Sequence, residues 1–563
     1  MLRNRLPDEI AMYPDPVHGI DLRSGLGAVR PGFAVQMQNC FLDFGLGKRL
    51  GSATAHATSK GVYGGRGLAK IYPNTATRFR VAYYNNLLAT ISDAGAIGTV
   101  TTSLTADTNT HFTQWTISDR TYVCNGTDNM GYINHTTQTF VASVTGVATA
   151  NAPPAAVMAK PYLDRLFVIT GTGVTSSNAR VDNVFASTGS SWAFYRPSAG
   201  TGNPTALALH SDSGVQTGVE AQLLIFQRNA VTRLTGTDFG SDVTAASPPT
   251  TWDAAMNTVD SSIGTESPYS IVSIPGIGTF WFTQTRNVAW LPFGKQTAYL
   301  IGDKLFSNRA DLTGINNTNL NSMANVEMVY HDRKLKLMIP VSANTYSTIQ
   351  FWLDIRPLQQ QMAQILAGEP FEGVGWSGPH TGQSLRRWYA ENQGGDADVL
   401  YALEGNSANG LFLYRLNESG TYTDAVGTAN NNVIYSYRTF YHPFKFPSMQ
   451  KYIPLVRVDA AGRIENAGMT ISDLHSASLS GLRITNDDGT VFSFMDYSGT
   501  YLYDGTNKYA GGSNNIGVVD IPAQTGNVIL GDALSIEVTH TTGNFVLNSL
   551  LPQVQVRRTQ QVG

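Results

Sequence analysis

One phrase recurs along this chain and constrains its fold more than any other feature: a run of mixed apolar residues, a turn rich in Gly, Asn, Asp or Ser, and a second apolar run. It is clearest in RTYVCNGTDNMGYIN from Arg120, DRLFVITGTGVTSSNARVDNVFAS from Asp164 and QLLIFQRNAVTRLTG from Gln222. GTFWFTQTRNVAWLPFG from Gly278, RKLKLMIPVSANTYSTIQFWLDI from Arg333 and DVLYALEGNSANGLFLYRL from Asp398 continue the series. Successive starts lie 44, 58, 56, 55 and 65 residues apart, and FRVAYYNNLLATIS from Phe79 adds a fainter unit before them. Such a period is longer than the roughly 40–50 residues of familiar propeller blades and accommodates four strands with inserted loops. The expectation is an all-β chain whose residues 59–420 form a six- or seven-bladed β-propeller-like domain.

Helical periodicity is nearly absent. One candidate runs from Pro357 to about Gly368, with Leu358, Met362, Ile365 and Leu366 on one face, and is expected on a loop between blades. After residue 420 the texture shifts to longer strands and hairpins, with Asn486-Asp487-Asp488-Gly489 as a strong turn signal. Residues 421–563 are therefore expected to form a C-terminal β-sandwich-like domain. Residues 1–58 are too few to fold alone and are expected to pack on the β-framework as an arm and hairpin joining the two domains.

Within that arm, FLDFGLGKRLGS has the glycines and basic pair of a phosphate cradle but fails its spacing. A P-loop would need glycine at Leu42 and a hydroxyl at Arg49, and the dinucleotide pattern would need glycine at Leu50. The segment reads instead as a hairpin in which Gly45, Gly47 and Gly51 permit the turn. Lys48 and Arg49 are expected in solvent or against a neighbouring subunit.

Composition narrows the function classes. Charged residues are 14% of the chain, below the usual ~25%, and 38 Lys and Arg against 41 Asp and Glu leave a net charge of −3. That balance lacks the basic footprint of a dedicated duplex binder, while leaving open a conduit past which DNA slides. Cys40 and Cys124 are too few for a disulfide scaffold. MLRNRLPDEIAMYPDP has no apolar core of a secretion signal, so the Asn125 and Asn134 sequons are expected to be turn sequences.

Chemistry has few anchors. The ten histidines show no metal-binding spacing, Asp396-Ala397-Asp398 lacks the remaining ligands of a calcium loop, and no G-x-S-x-G elbow occurs. The expectation is no catalytic, cofactor-binding or metal residue and no cofactor. Two openings remain. Asp164, Asp182, Glu266 and Asp354 are placed to lie at blade ends, where a propeller glycosidase would hold its carboxylates. Trp376, Trp388 and Tyr389 would form a sugar-stacking or partner surface, or Trp376 would sit in a blade core.

The order of segments resembles the β-propeller nozzle and hub proteins of bacteriophage tails, the tail tubular B-like family. The similarity begins with Gly19-Ile20-Asp21, then Pro31-Gly32-Phe33-Ala34, Asn39 and the Gly45 to Gly51 hairpin. It continues through PYLDRLFVITG with NARVDNVFAST, QLLIFQRNAVTRLTG, SSIGTESPYSIVSIPGIGTFWFTQTRNVAWL and YTDAVGTANNNVIYSYRTFYHPFKFPSMQKYIPLVRV. The resemblance implies a non-enzymatic virion protein, made in the host cytoplasm, whose copies form a six-fold ring continuing the DNA channel and retaining the genome until ejection. It also implies adaptor or other tail proteins as partners, with tail fibres in question because the chain is shorter than many nozzles. DNA would pass transiently, without sequence-specific binding. In that setting Pro31, Gly32, Gly45, Gly47, Lys48, Arg49 and Gly51 are the candidate turn and assembly residues. A glycan-binding or glycan-hydrolysing virion protein is the alternative.

Overall fold

The computed structural model of the 563-residue chain describes residues 9–10, 15–142, 155–177, 194–195, 202–210, 222–235, 255–367, 374–391, 399–417, 419–444, 451–462, 468–473, 479–483, 516–522 and 533–556, except 44, 59–63, 75, 93–96, 102, 164, 172, 407–410, 443 and 542 within them. Asp164, Asp182, Asp396, Asp398 and the Asn486–Gly489 turn lie outside the described residues.

The fold is all-β and propeller-like. Six sheets of four antiparallel strands, and the first four strands of a nine-stranded sheet, follow one another among the described residues. Their opening strands are Gly65–Ile71, His111–Trp115, Ala159–Tyr162, Pro204–His210, Val272–Ile274, Glu327–His331 and Leu385–Glu391. Each opening strand touches the next, and the seventh touches the first, so the sheets close a ring with these strands innermost. Apolar clusters fill the spaces between neighbouring sheets all the way round. Val81 and Leu88 cluster with Val123 and Ile133, Tyr122 with Leu166, and Phe167 with Phe226, which packs on Trp281 at 5.4 Å. Phe280 meets Leu337, Met338 meets Leu400, and Leu403 meets Tyr84 to complete the circuit. Each large side chain so buried contributes about 1.5–3 kcal/mol, and this packing joins sheets that share no strand pairing into a ring.

The seventh sheet takes its outer strand from the other end of the chain. Ser52–Thr58 pairs antiparallel with Leu411–Leu416, Ser52 opposite Leu416 and Thr58 opposite Leu411. The end of the expected arm is thus a strand of the ring, and its pairing ties the two ends of the ring together.

The sixth sheet does not stop at four strands. Its outer strand Trp376–His380 pairs with Ala34–Gln38, which pairs in turn with Tyr435–Thr439 and onward to Leu534–His540, Gly468–Asp473 and Leu479–Arg483. A second sheet, built on Lys451–Gly462, Phe545–Val556, Ile516–Pro522 and the hairpin Cys40–Leu42 with Leu46–Lys48, packs against this extension. Tyr435 and Phe545 meet edge to face between the two sheets at 5.0 Å. One apolar core runs from Trp290 and Phe351 in the ring through Val35 and Met37 to Tyr437, Val456 and Leu547.

The helix Arg356–Ala367 is present, with Leu358 buried and Met362 packed on the core. It joins the third and fourth strands of the sixth sheet rather than two blades, a correction to its expected place. Leu358 and Met362 join the apolar cluster that also holds Leu353 and Trp376 of that same sheet.

Candidate functional site

Of the residues singled out in the arm, Asn39, Lys48, Arg49 and Gly51 converge on a buried junction between the ring and the C-terminal sheets. Arg30 to Phe33 form a turn with Pro31 at its second position and Gly32 at φ +84°, where the Phe33 N–H reaches the Arg30 carbonyl at 3.2 Å. That is the arrangement in which proline presets φ and glycine takes the left-handed position. Asn39 follows Ala34–Gln38 at φ +54° and turns the chain into the hairpin, where Cys40 faces Lys48 and Phe41 faces Gly47.

Lys48 and Arg49 are not solvated, which corrects the sequence expectation: they are 4% and 2% exposed. Arg49 forms a two-pronged ion pair with Asp424, one prong of 2.9 Å from Nη1 to Oδ1. Its Nε donates to Asn39 Oδ1 at 2.9 Å and its Nη2 to the Thr381 carbonyl at 2.5 Å. Asn39 Oδ1 also accepts from the Thr381 N–H at 2.8 Å, and its Nδ2 donates to the Ile434 carbonyl at 2.7 Å. Gln383 closes the group by donating to Asp424 Oδ1 at 2.8 Å. The hairpin buries this basic pair because the sheets on either side leave it no route to water, and a buried guanidinium is tolerated only when its donors and charge are met. Lys48 Nζ donates to the Thr541 carbonyl at 3.1 Å, and burial, with Arg49 beside it, lowers its pKa to about 8.

The glycines divide. Gly51 packs on the Thr423 carbonyl so tightly that a Cβ would lie 2.0 Å from that oxygen, and at Gly45 a Cβ would meet Val546 Cγ1 at 2.9 Å. Gly47 is not at a left-handed φ, and a Cβ there would meet only Phe41 Cζ at 3.9 Å, so the expected need for glycine at this position is overturned.

The second arrangement was missed in the sequence. At the centre of the ring lies a cavity of about 500 Å³, to which every sheet contributes. Lys70, His111, Lys160, Glu327 and Arg387 bring its charge and imidazole, and Phe112, Leu207, Tyr269 and Met328 its apolar wall. Arg387 sits at φ +56° at a bulge between Arg386 and Trp388, a conformation that costs of order 1–3 kcal/mol for a non-glycine residue. Glu327 holds it there: its carboxylate accepts from the Arg387 guanidinium, from the Arg387 N–H at 2.9 Å and from the Trp388 N–H at 3.3 Å. The guanidinium lies 3.4 Å above the Tyr269 ring. His111 stacks on Tyr269 at 4.6 Å, and burial, then Arg387 and Lys160, lower its pKa to about 3, so the ring is neutral. Lys70 pairs with Glu391 at 3.0 Å.

No family model and no curated protein matches the chain. Among solved structures, a streptogramin B lyase is similar at 7% identity and a TM-score of 0.38, over 65% of this chain and 97% of that one. YCF48 from Cyanidioschyzon merolae is similar at 8% identity and a TM-score of 0.34, over 65% and 98%. A YCF48 bound to D1 peptide is similar at 9% identity and a TM-score of 0.35, over 67% and 98%.

The remaining candidates do not assemble into a site. Glu266 pairs with Arg228 at 2.6 Å, and Asp354 with Arg356 across the start of the helix; neither lines the axial cavity. Among the described residues Glu327 is the one carboxylate that does, and its oxygens are already engaged. Trp376 is buried and donates to the Ile301 carbonyl at 2.8 Å, so it is a core residue. Trp388 and Tyr389 line the cavity instead of forming an outer surface. Among the described residues no group of His, Cys, Asp and Glu has the arrangement of a metal site.

Proposed function

We propose that this chain is a non-enzymatic structural component of a bacteriophage tail, a nozzle or hub subunit whose copies form a ring around the DNA path. In this reading the seven sheets are the blades of a seven-bladed propeller closed by Ser52–Thr58, and the two sheets beyond it are a β-sandwich. The observation that supports it is the nine-stranded sheet, in which Ala34–Gln38 joins the propeller edge to the sandwich with backbone hydrogen bonds. Two units fused through one sheet and pinned by the buried Arg49–Asp424 pair cannot hinge at that seam, a property suited to a part that resists pressure from packed DNA. The segment order quoted above supplies the tail assignment, the six-fold ring and the tail-protein partners. A net charge of −3 suits a conduit that must release DNA, since each phosphate contact would slow its passage.

The test is to image intact particles carrying a tag on this chain and to measure the mass of the assembly extracted from them. Label confined to the tail and a closed multimer are expected. Label scattered over the capsid, or absent from purified particles, overturns the reading.

A further inference from the structure

We infer that the axial cavity is a binding site for a small hydroxylated organic anion of the sugar-phosphate type, its acidic group held by Lys160 and Arg387 and a hydroxyl by His111.

Charge comes first. Three cations, Lys70, Lys160 and Arg387, line the cavity against one carboxylate, Glu327. Lys70 pairs with Glu391, which Arg80 shares, and Arg387 pairs with Glu327. Lys160 has no hydrogen bond or ion pair among the described residues, and burial alone acts on it, lowering its pKa. Arg386 and Arg66 lie behind Arg387, and burial, then Arg387 and Arg66, depress the pKa of Arg386 to about 9. Cations in excess of the carboxylates around a partly enclosed cavity are costly unless an anion joins them.

Geometry comes second. Arg387 is 3% exposed, and its Nη2 has no hydrogen-bond partner although the residue borders the cavity. The bulge at φ +56° and the three contacts from Glu327 hold this one side chain in place at an energetic cost. Bulges that re-aim a side chain are common beside functional sites. A guanidinium with one free nitrogen, lining the same cavity as a lysine that has no partner among the described residues, makes a donor set that receives a phosphate or carboxylate.

The imidazole adds selectivity. His111 bonds to the backbone of Pro268, which offers only a carbonyl, so His111 donates there; its Nε2 is buried and without a partner. In the neutral ring that nitrogen accepts, and it calls for a donor on the ligand. A hydroxyl supplies one where a bare anion does not. The volume, about 500 Å³, lies within the range of roughly 300–1,000 Å³ usual for small-molecule sites.

The experiment is a thermal-shift and calorimetric titration of the whole chain with glucose 6-phosphate, inorganic phosphate and glucose. A dose-dependent rise in melting temperature is expected with glucose 6-phosphate, a weaker one with inorganic phosphate, and none with glucose. Lys160→Met should weaken glucose 6-phosphate binding about tenfold or more, as expected for loss of a charge-assisted hydrogen bond, and Lys160→Arg should restore most of it. Without ligand Lys160→Met should be at least as stable as the wild type, because it removes a half-buried cation with no partner among the described residues. The proposal is overturned if neither phosphate compound shifts the melting temperature, if Lys160→Met binds as well as the wild type, or if glucose alone binds equally. Inorganic phosphate binding as tightly as glucose 6-phosphate would overturn the role given to His111.

Discussion

Arg49 shows how a charged residue that reads as surface becomes the centre of a core. Its neighbours in the chain form a short glycine-rich hairpin, and nothing local reveals that Asp424, Thr381 and Gln383 will surround it. Arg49→Met should lower stability by about 3–5 kcal/mol, since it leaves Asp424 buried with its charge unmatched. Urea denaturation measures this, and a loss near zero would remove the junction from the account of the fold. Gly51→Ala should be severely destabilising while Gly47→Ala is nearly neutral, because only the first drives a Cβ into a carbonyl oxygen. Other residues were legible. The Asn125 and Asn134 sequons are turns, each asparagine accepting from backbone N–H groups two and three residues on. Lys336 offers a pH test. It is 1% exposed, packed 4.4 Å from the Trp352 ring, and burial, with Lys334 nearby, lowers its pKa from 10.5 to about 7. Below that value both folded and unfolded chains carry the proton and the full burial cost is present. Between about 7 and 10.5 only the unfolded chain carries it, so this residue's contribution to stability rises with pH by up to about 1.4 kcal/mol per unit. Lys336→Met should therefore stabilise the chain more at about pH 6 than at about pH 9, and a gain independent of pH would contradict this.

At the scale of elements, the sequence located the middle of every sheet and missed both edges. Each recurring phrase coincides with the second and third strands, as Gln222–Gln227 and Val231–Thr235 do in the fourth sheet. These strands are buried on both faces between neighbouring sheets, so they read as apolar runs. The innermost strands carry Lys70, His111, Lys160 and Arg387 because they border the cavity, and that polarity hid them and the cavity together. The closing strand SATAHAT was hidden for another reason: its partner lies more than three hundred residues away, and an edge strand needs little apolar character. Replacing residues 52–58 by a Gly/Ser segment of equal length should unpair Leu411–Leu416 and expose Leu413 and Phe412. Amide exchange in that strand should then accelerate toward the rate of local opening, while exchange in Leu223–Phe226 across the ring changes less. Unchanged protection at Leu413 would show that the ring does not depend on this strand.

For the whole molecule, the expectation of two domains joined by an arm understated the joint. The arm is a shared strand: Gln36 donates to Ser436 at 3.0 Å, four hundred residues on, and Met37 faces both Gly378 in the ring and Tyr437 beyond it. No periodicity in a sequence reports a pairing at such a separation, since register is fixed by partners that only the folded chain supplies. The shared strand has a thermodynamic consequence. Chains of this size with several packing units usually unfold in separate steps. Here the apolar core is continuous from Phe351 through Met37 to Tyr437 and Leu547, so losing the C-terminal sheets strips cover from the sixth sheet, and losing that sheet opens the ring. Calorimetry of the wild type should show one transition whose van't Hoff and calorimetric enthalpies agree. Asn39→Ala removes the hub that Arg49 and Thr381 both bond and weakens the seam without touching either unit's interior. In that variant the transition should broaden and split, with the C-terminal sheets melting first because they lack the ring's mutual support. Two resolved transitions in the wild type would mean that the shared sheet does not couple the units, and the rigid seam on which the conduit reading rests would go with it.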